Sequence, residues 1–135
     1  MEGTLTGRHT SESHEGRRLT SDGTPIYEPG DVVYGADPYK GADAARPWLL
    51  VSNHEGRPFH GEQYIALSLT TRSWMEELVE IDDDRWLYGG TPAESRIVPW
   101  AVQSVSSTDI DFWQGRPEEE LVTETIELLV DYLRS

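Results

Sequence analysis

The apolar run at residues 48–51, Trp-Leu-Leu-Val, constrains the fold most, and it directly follows Arg46 and Pro47. A short apolar run between polar residues is typical of a strand that is buried on both faces, although periodicity alone leaves a piece of buried helix open. A cation at the mouth of a buried strand is held in one position, as a catalytic or anion-binding group must be. The more ordinary alternative is an Arg46 that closes the strand end and pairs with a surface carboxylate.

Several short strand-like runs and one helical run accompany this segment. The strand-like runs are residues 31–34, 46–53, 64–69, 77–81, 96–98 and 101–105, and Pro99 predicts a bulge, a bend or a sheet edge between the last two. Residues 117–133 have the period of an amphipathic helix, with one apolar side made of Leu121, Val122, Ile126, Leu129, Val130 and Leu133. This order predicts a mostly β domain, a small antiparallel barrel or sheet covered by a C-terminal helix.

The length of 135 residues is that of a single domain with one core. Residues 1–24 are almost entirely polar, which predicts a disordered tail followed by one domain at residues 25–135. The chain has no cysteine, which excludes disulfides and thiolate metal sites. It has no run long enough to span a membrane and no signal-like apolar segment, so we expect a cytoplasmic protein with no membrane partner.

The charge balance is strongly acidic. The chain has 25 acidic residues against 11 basic ones, of which only Lys40 is a lysine, and its formal net charge is −14. Such a composition is typical of proteins from a high-salt cytoplasm, where salt screens the self-repulsion. An acidic protein of an ordinary cell is the alternative. At high salt, any nucleic-acid binding would have to rest on stacking, hydrogen bonds and shape, because counterion release contributes little.

Two pairs of side chains are candidates for chemistry on position and residue type alone. Thr70 and Thr71 follow a strand-like run, where their hydroxyls can meet a ligand oxygen, and the ordinary alternative is capping or plain surface placement. His54 and His60 lie in a segment with glycine and proline and can perform acid–base work near neutral pH. Their spacing matches no known metal motif, so they are also compatible with a structural or solvated role.

Two aspartates precede Arg46. Asp37 or Asp43 can orient its guanidinium through a bidentate contact. The sequence has no phosphate-cradling glycine loop, no nucleophile elbow and no zinc-protease helix motif. Composition and pattern therefore reach a small β-rich domain with an ordered arginine, and no further.

Three segments, taken in order, resemble the opening of the PemK/MazF toxin family. Residues 30–34 (Gly-Asp-Val-Val-Tyr) resemble its Gly-Asp strand start, and residues 37–41 (Asp-Pro-Tyr-Lys-Gly) resemble its Asp-Pro-x-x-Gly loop. Residues 46–53 resemble its Arg-Pro strand, which ends in Ser-Asn or similar. The order and spacing of these segments carry the resemblance, and the acidic composition is that of a haloarchaeal-type member.

Two later segments extend the resemblance, which covers roughly residues 27–133. Ser68-Leu69-Thr70 resembles the family's Pro-Leu-Thr strand end, and Ser95 with the Ile-Val pair at residues 97–98 resembles its later Ser-x-Val strand. The resemblance implies a small SH3-like β-barrel of the PemK/CcdB type with a C-terminal amphipathic helix, usually as a homodimer. It also implies the toxin of a type II toxin–antitoxin system, inhibited by a separate small antitoxin protein.

The activity that the resemblance implies is cleavage of single-stranded RNA without a metal or cofactor. The RNA's own 2′-hydroxyl attacks the adjacent phosphorus, which leaves a 2′,3′-cyclic phosphate and a 5′-hydroxyl end. Arg46 matches the family's catalytic arginine, Thr70 matches its catalytic threonine, and Asp43 falls where some members carry an active-site Glu. Lys40, Arg46 and Thr71 are the expected RNA-binding residues.

The sequence also departs from the family pattern. The segment between Gly41 and Arg46 is shorter than usual, and Val98 and Trp100 stand where many members carry a basic residue and an Asp. A mechanism that uses that Asp as the base is therefore in doubt, and His54 or His60 is the candidate replacement. The alternative function is a catalytically weakened module of the same fold that binds single-stranded nucleic acid or a protein partner.

Overall fold

The computed structural model describes residues 25–37, 44–52 and 62–134. The described chain is mostly β with one C-terminal helix, which confirms the predicted fold class. Short 3-10 turns precede β5 and β7. The elements are β1 (Val32–Ala36), β2 (Ala45–Leu50), β3 (Gln63–Thr70), β4 (Val79–Ile81), β5 (Trp86–Gly89), β6 (Ser95–Ser106), β7 (Ile110–Pro117) and α1 (Glu119–Arg134).

The seven strands form one sheet in the order β4-β6-β3-β2-β1-β7-β5, and neighbouring strands run antiparallel. The strand that carries Arg46 is therefore the central one. The edge strands of the sheet are β4 and β5, and within the described residues no strand pairing joins them. The closed SH3-like barrel thus stays a prediction, whereas the antiparallel sheet with its terminal helix is observed.

The central strand is buried on both faces, as its apolar run predicts. Trp48, Leu49 and Leu50 expose 2%, 0% and 0% of their surface. Leu49 lies in a cluster that includes Leu121 and Val122 of α1, whereas Trp48 and Leu50 lie in a second cluster on the other face. Burial of each of these side chains stabilises the fold by about 1.5–3 kcal/mol, so β2 anchors both halves of the core.

The terminal helix begins at Glu119, where acidic residues suit the positive end of its dipole. Its first turns supply the buried side, with Leu121 and Val122 in the core and Ile126 packed against it. Leu133, which the helical pattern places on the same side, is 75% exposed in this chain. No helix in the described part of the protein combines the length and apolar character that a membrane crossing requires.

Pro99 lies in a β-bulge, one of the three predicted outcomes. The two runs on either side of it were predicted as separate strands, and they form the single strand β6. Leu67 pairs with Val102, and Leu69 pairs with Ile97. These two pairs are five residues apart along β6 but only two residues apart along β3, so β6 contains extra residues between them. The extra length of β6 bends away from β3 at this point.

The sequence reasoning missed strands β5 and β7. β7 is paired to β1 with two register shifts, and these interrupt the in-out alternation by which a strand is recognised in a sequence. A buried Asp31 ties this strand to the start of β1. Its carboxylate accepts hydrogen bonds from Arg116 Nη1 at 3.0 Å, from Trp113 Nε1 at 3.2 Å and from the Glu28 N–H at 2.8 Å.

Candidate functional site

Arg46 lies where the central strand separates from its neighbour β3. The β1–β2 pairing continues to Ala45, whereas the β2–β3 pairs run only from Leu50 to Trp48. Pro47 has no N–H to offer a second partner, so it suits a stretch of strand that is paired on one side only. The Arg-Pro sequence therefore ends the hydrogen-bond ladder between β2 and β3, and the Arg46 side chain is 25% exposed where these strands separate.

Asp37 holds the Arg46 side chain. Its Oδ2 lies 2.8 Å from Arg46 Nε, and its side chain is 4% exposed. The Asp37 N–H also donates to the carbonyl of Ala44 at 3.0 Å, which joins the end of β1 to the start of β2. The expected contact between a preceding aspartate and Arg46 is thus present and is made by Asp37, so the arginine is positioned by a buried carboxylate.

A cleft of about 260 Å³ opens beside this ion pair. Its walls come from Asp37 after β1, from β2, from β3 and from the part of β6 that directly follows the bulge. Bulges commonly redirect side chains next to active sites. Besides Asp37 and Arg46, the residues that line the cleft are Trp48, Ser68, Trp100, Ala101, Val102 and Gln103.

One buried N–H donor of this cleft, Trp48 Nε1, has no hydrogen-bond partner in the part of the chain that the structure describes. Arg46 Nε, in contrast, is paired with the Asp37 carboxylate at 2.8 Å. A further unpartnered buried side-chain atom is Gln114 Oε1, which is not part of the cleft lining. An unmet buried donor costs about 1–3 kcal/mol, so a ligand acceptor at Trp48 Nε1 would be favoured.

Thr70 is the last residue of β3 and pairs with Arg96 of β6. The β2–β3 pairs end at Trp48 and Ser68, two residues short of Arg46 and Thr70, and Thr70 is not among the residues that line the cleft. Thr70 Oγ1 accepts a hydrogen bond from the Arg72 N–H at 3.2 Å, so the predicted alternative of a capping role is present. Because a hydroxyl also donates, its proton stays available to a ligand oxygen.

Arg96 supports the end of β3. Its Nη1 donates to the carbonyl of Thr71 at 3.2 Å, and its Nη2 lies 3.2 Å from Glu80 Oε2. Its side chain is only 14% exposed, so the charge is held between carboxylates and the backbone. Arg96 therefore fixes the position of the Thr70–Thr71 backbone and does not present an unpaired cation.

Four of the predicted site residues lie outside the described residues: Lys40, Asp43, His54 and His60. At the positions of the family departures, Val98 is a core residue with 6% exposure, whereas Trp100 is 36% exposed and lines the cleft. Within residues 25–37, 44–52 and 62–134, no group of three His, Asp or Glu side chains is arranged to hold a metal ion.

Trp100 is itself positioned by two aromatic neighbours. Its ring makes edge-to-face contacts with Trp74, at a centroid distance of 6.3 Å, and with Tyr132 of α1, at 5.5 Å. Such contacts favour one ring orientation. Trp100 therefore contributes to the cleft lining with its ring held in one orientation.

The sequence of this chain matches no protein-family model and no curated protein. Its structure, in contrast, is similar to solved structures. An endoribonuclease from Mycobacterial species has a TM-score of 0.61 at 20% identity, over 82% of this chain and 94% of that chain. MazF from Deinococcus radiodurans has a TM-score of 0.60 at 14% identity, over 82% of this chain and 98% of that chain. This chain has the MazF-like fold.

Two of the solved structures that are similar to this chain are structures of complexes. The MazE–MazF structure from Deinococcus radiodurans has a TM-score of 0.59 at 14% identity, over 80% of this chain and 95% of that chain. A mycobacterial endoribonuclease in complex with its cognate antitoxin has a TM-score of 0.57 at 19% identity, over 79% of this chain and 91% of that chain. These likenesses extend over almost the whole length of the solved chains.

Within this MazF-like fold, sequence reasoning missed the side of the cleft that β3 and β6 form. It did not single out Ser68 or Gln103 as site residues, and it treated Trp100 as a departure from a family pattern. Pro99 inside a strand-like stretch was the available signal, because it predicted an irregularity. Which side chains the irregularity would expose depended on the register between β3 and β6.

Proposed function

We propose that this protein is a MazF-type toxin, an endoribonuclease that cleaves single-stranded RNA without a metal or cofactor. The observation that carries the proposal is the Arg46–Asp37 pair, 2.8 Å apart at the mouth of a cleft in a MazF-like fold. A positioned guanidinium is the group that a pentacoordinate phosphate requires, because its donors match two phosphate oxygens at once.

The proposed reaction is an internal transesterification. The 2′-hydroxyl oxygen forms a bond to the adjacent phosphorus while the bond from phosphorus to the 5′-oxygen breaks. The 2′-hydroxyl proton leaves to a base, and the departing 5′-oxygen takes up a proton, so the products are a cyclic phosphate and a 5′-hydroxyl end. Arg46 stabilises the negative charge on the phosphate oxygens, and the Thr70 hydroxyl donates to one of them.

Asp37 is a positioning residue in this proposal. Its buried carboxylate keeps the Arg46 side chain at the opening and leaves the outer nitrogens of the guanidinium for the substrate. The proton acceptor is proposed among Asp43, which follows β1 in the sequence, and His54 and His60, which follow β2. Lys40 and Thr71 are proposed to bind the RNA backbone outside the scissile phosphate.

The proposed partners are single-stranded RNA, a second copy of the chain and a small antitoxin. The similar structures that contain an antitoxin support the last of these. The acidic composition supports the proposal that the protein works in a cytoplasm rich in salt. Residues 1–24 are proposed to be a disordered tail ahead of a single domain at residues 25–135.

A second candidate function is a binding module of the same fold with weakened catalysis. Trp100 favours it, because an aromatic side chain lines the cleft where many family members carry an acid. Such a module holds single-stranded RNA or a protein partner without cutting RNA. Reaction products separate the two candidates, since only the enzyme generates new 5′-hydroxyl ends.

The test is cleavage of a mixed single-stranded RNA in molar KCl with a chelator present. We expect new 5′-hydroxyl ends with the natural chain, none with Arg46→Ala and weak activity with Arg46→Lys, because an ammonium cannot contact two oxygens in the plane of a guanidinium. Arg134→Ala, at an exposed position of α1, is the matched control for loss of an arginine. Undiminished cleavage by Arg46→Ala would refute the assignment.

A further inference from the structure

We propose that residues 17–19 (Arg-Arg-Leu) dock on the first half of α1 within the same chain. Leu19 lies in a groove beside the helix, and the two arginines contact the acidic side of α1, which is made of Glu119, Glu120, Glu124 and Glu127. The contact goes beyond the proposed function, because nothing in it depends on RNA cleavage. Residues 1–24 lie outside the described residues, and the groove lies within them.

The groove is a preformed apolar surface. It has about 340 Å³ of space between α1 and the turn that leads into β1. Its apolar lining consists of Pro29, Pro117, Val122 and Ile126. The turn is held in place, since the Gly30 N–H donates to the Leu50 carbonyl at 2.7 Å and Gly30 has a φ of 97°, which favours glycine. An aliphatic side chain in this groove removes apolar surface from water on both partners.

The charged groups of the groove favour an occupant that is not an anion. Arg116 lines the groove, but its Nη1 lies 3.0 Å from Oδ1 of Asp31, which is 1% exposed. The other charged side chains of the lining are Glu28 and Glu119. A buried acid thus compensates the cation, and the carboxylates attract an uncharged or positively charged segment.

The acidic side of α1 continues directly from this groove. Glu119 and Thr123 also line a neighbouring depression, whose other lining residues are Arg85, Glu120, Glu124 and Glu127. Arg85 is already paired with Glu118, at 2.9 Å. Like charges that lie four residues apart on a helix, as at Glu120 and Glu124, repel each other. A cation placed between them relieves that repulsion.

Residues 17–19 have the composition that fits this surface. Arg17 and Arg18 are the only basic residues that are adjacent in the sequence, and Leu19 follows them directly. The segment therefore pairs two cations with the acidic side of α1 and one aliphatic side chain with the apolar groove. In a salt-rich cytoplasm the leucine contributes more, because screening weakens the ion pairs and leaves apolar burial intact.

The length of the chain allows the contact. The described residues begin at Pro25, and Glu28 already lines the groove. Leu19 is nine residues before Glu28, which an extended chain spans over about 30 Å. The acidic side from Glu119 to Glu127 measures about 12 Å along α1. Residues 17–19 therefore reach it, and the rest of the segment needs no regular structure, since short motifs of disordered segments bind in this way.

Trypsin digestion of the full chain tests the docking, because trypsin cleaves after arginine and the N-terminal fragments are identified by mass. Proteolysis follows the population of the open form when opening is fast, so we expect docking to slow cleavage after Arg17 and Arg18 about tenfold and to leave cleavage after Arg8 unaffected. The reference is Glu120→Gln/Glu124→Gln, which keeps the cleaved sequence and removes two charges from the docking surface. We expect this variant to lose the protection.

Matched controls exist on both sides of the contact. Glu76→Gln/Glu77→Gln removes two exposed acids ahead of β4 and is expected to keep the natural cleavage rates. Leu19→Ser is expected to lose the protection, whereas Leu5→Ser, at the other leucine of residues 1–24, is expected to keep it. Circular dichroism confirms that each variant is folded.

Two results would overturn the proposal. One is equal cleavage after Arg17 and Arg18 in the natural chain and in Glu120→Gln/Glu124→Gln, which would show that the groove does not hold this segment. The other is protection that disappears on about 100-fold dilution, since a contact within one chain is independent of concentration and this result would assign the groove to a second copy. Protection that persists on dilution and is lost in the helix variant supports docking within the chain.

Discussion

Asp37 Oδ2 lies 2.8 Å from Arg46 Nε, and the carboxylate of this pair is almost completely buried whereas the guanidinium reaches the surface. The pair therefore has a buried member and a member that faces the cleft. Because the buried member is the acid, the position of the cation depends on the link between the end of β1 and the start of β2. That link is the hydrogen bond from the Asp37 N–H to the Ala44 carbonyl.

Asp37→Asn is predicted to reduce kcat for RNA cleavage about tenfold, the effect of losing ~1.4 kcal/mol of transition-state stabilisation. The asparagine keeps the shape of the side chain and removes the charge that holds Arg46, so KM changes less than kcat. Single-turnover cleavage measures the effect. Asp111→Asn, an exposed position on β7, is the control and keeps natural kinetics. A kcat equal to that of the natural chain in Asp37→Asn would exclude the positioning role.

Thr70→Val is predicted to lower kcat about 100-fold, a loss in the range measured for one donor to a developing oxyanion. Valine keeps the branched shape at the end of β3, and Thr70→Ser, which keeps the hydroxyl, is expected to retain most activity. The comparison of the two variants separates the hydroxyl from the local cap to the Arg72 N–H, since serine also accepts that hydrogen bond. Thr123→Val, on the exposed side of α1, controls for the substitution. Equal losses in Val and Ser would contradict a donor role.

The features that the sequence predicted are local in the chain. The apolar run after Pro47 predicted a buried strand, the period of residues 117–133 predicted α1, and Pro99 predicted a bulge, a bend or a sheet edge, of which the structure shows the bulge. Asp37 was one of two aspartates expected near Arg46. Each of these follows from residues that are neighbours in sequence.

The features that it missed depend on long-range register. β7 loses its in-out alternation of side chains where its register shifts against β1. The side of the cleft made by β3 and β6 depends on the register shift between these strands near Ser68. Gln103 and Trp100 line the same cleft as Arg46 only because of that pairing. No local pattern of residue types around Gln103 marks it as a cleft residue, so the sequence alone stopped at Arg46 and Thr70.

Asp31→Ala is predicted to destabilise the fold by about 3 kcal/mol, because it removes a buried acid together with the hydrogen bonds that its partners donate to it. Those partners include the Trp113 and Glu28 N–H groups and the Arg116 guanidinium. Urea unfolding followed by tryptophan fluorescence measures the change, with an unaltered m-value as the sign that the unfolded state is unchanged. Asp109→Ala, at an exposed site, is expected to shift stability by less than about 0.5 kcal/mol. A midpoint for Asp31→Ala equal to that of the natural chain would show that the network is not structural.

Salt is predicted to stabilise the protein, because its formal net charge is −14 and its acids are spread over the whole chain. Raising KCl from about 0.1 M to about 1 M shortens the Debye length from ~10 Å to ~3 Å, which screens most repulsion between exposed carboxylates. The Tm is therefore expected to rise across this range. Potassium sulfate at equal ionic strength separates screening from ion exclusion, since sulfate also strengthens burial of apolar surface. A Tm that is flat or falls in KCl would argue against a halophilic protein and for an acidic protein of an ordinary cell.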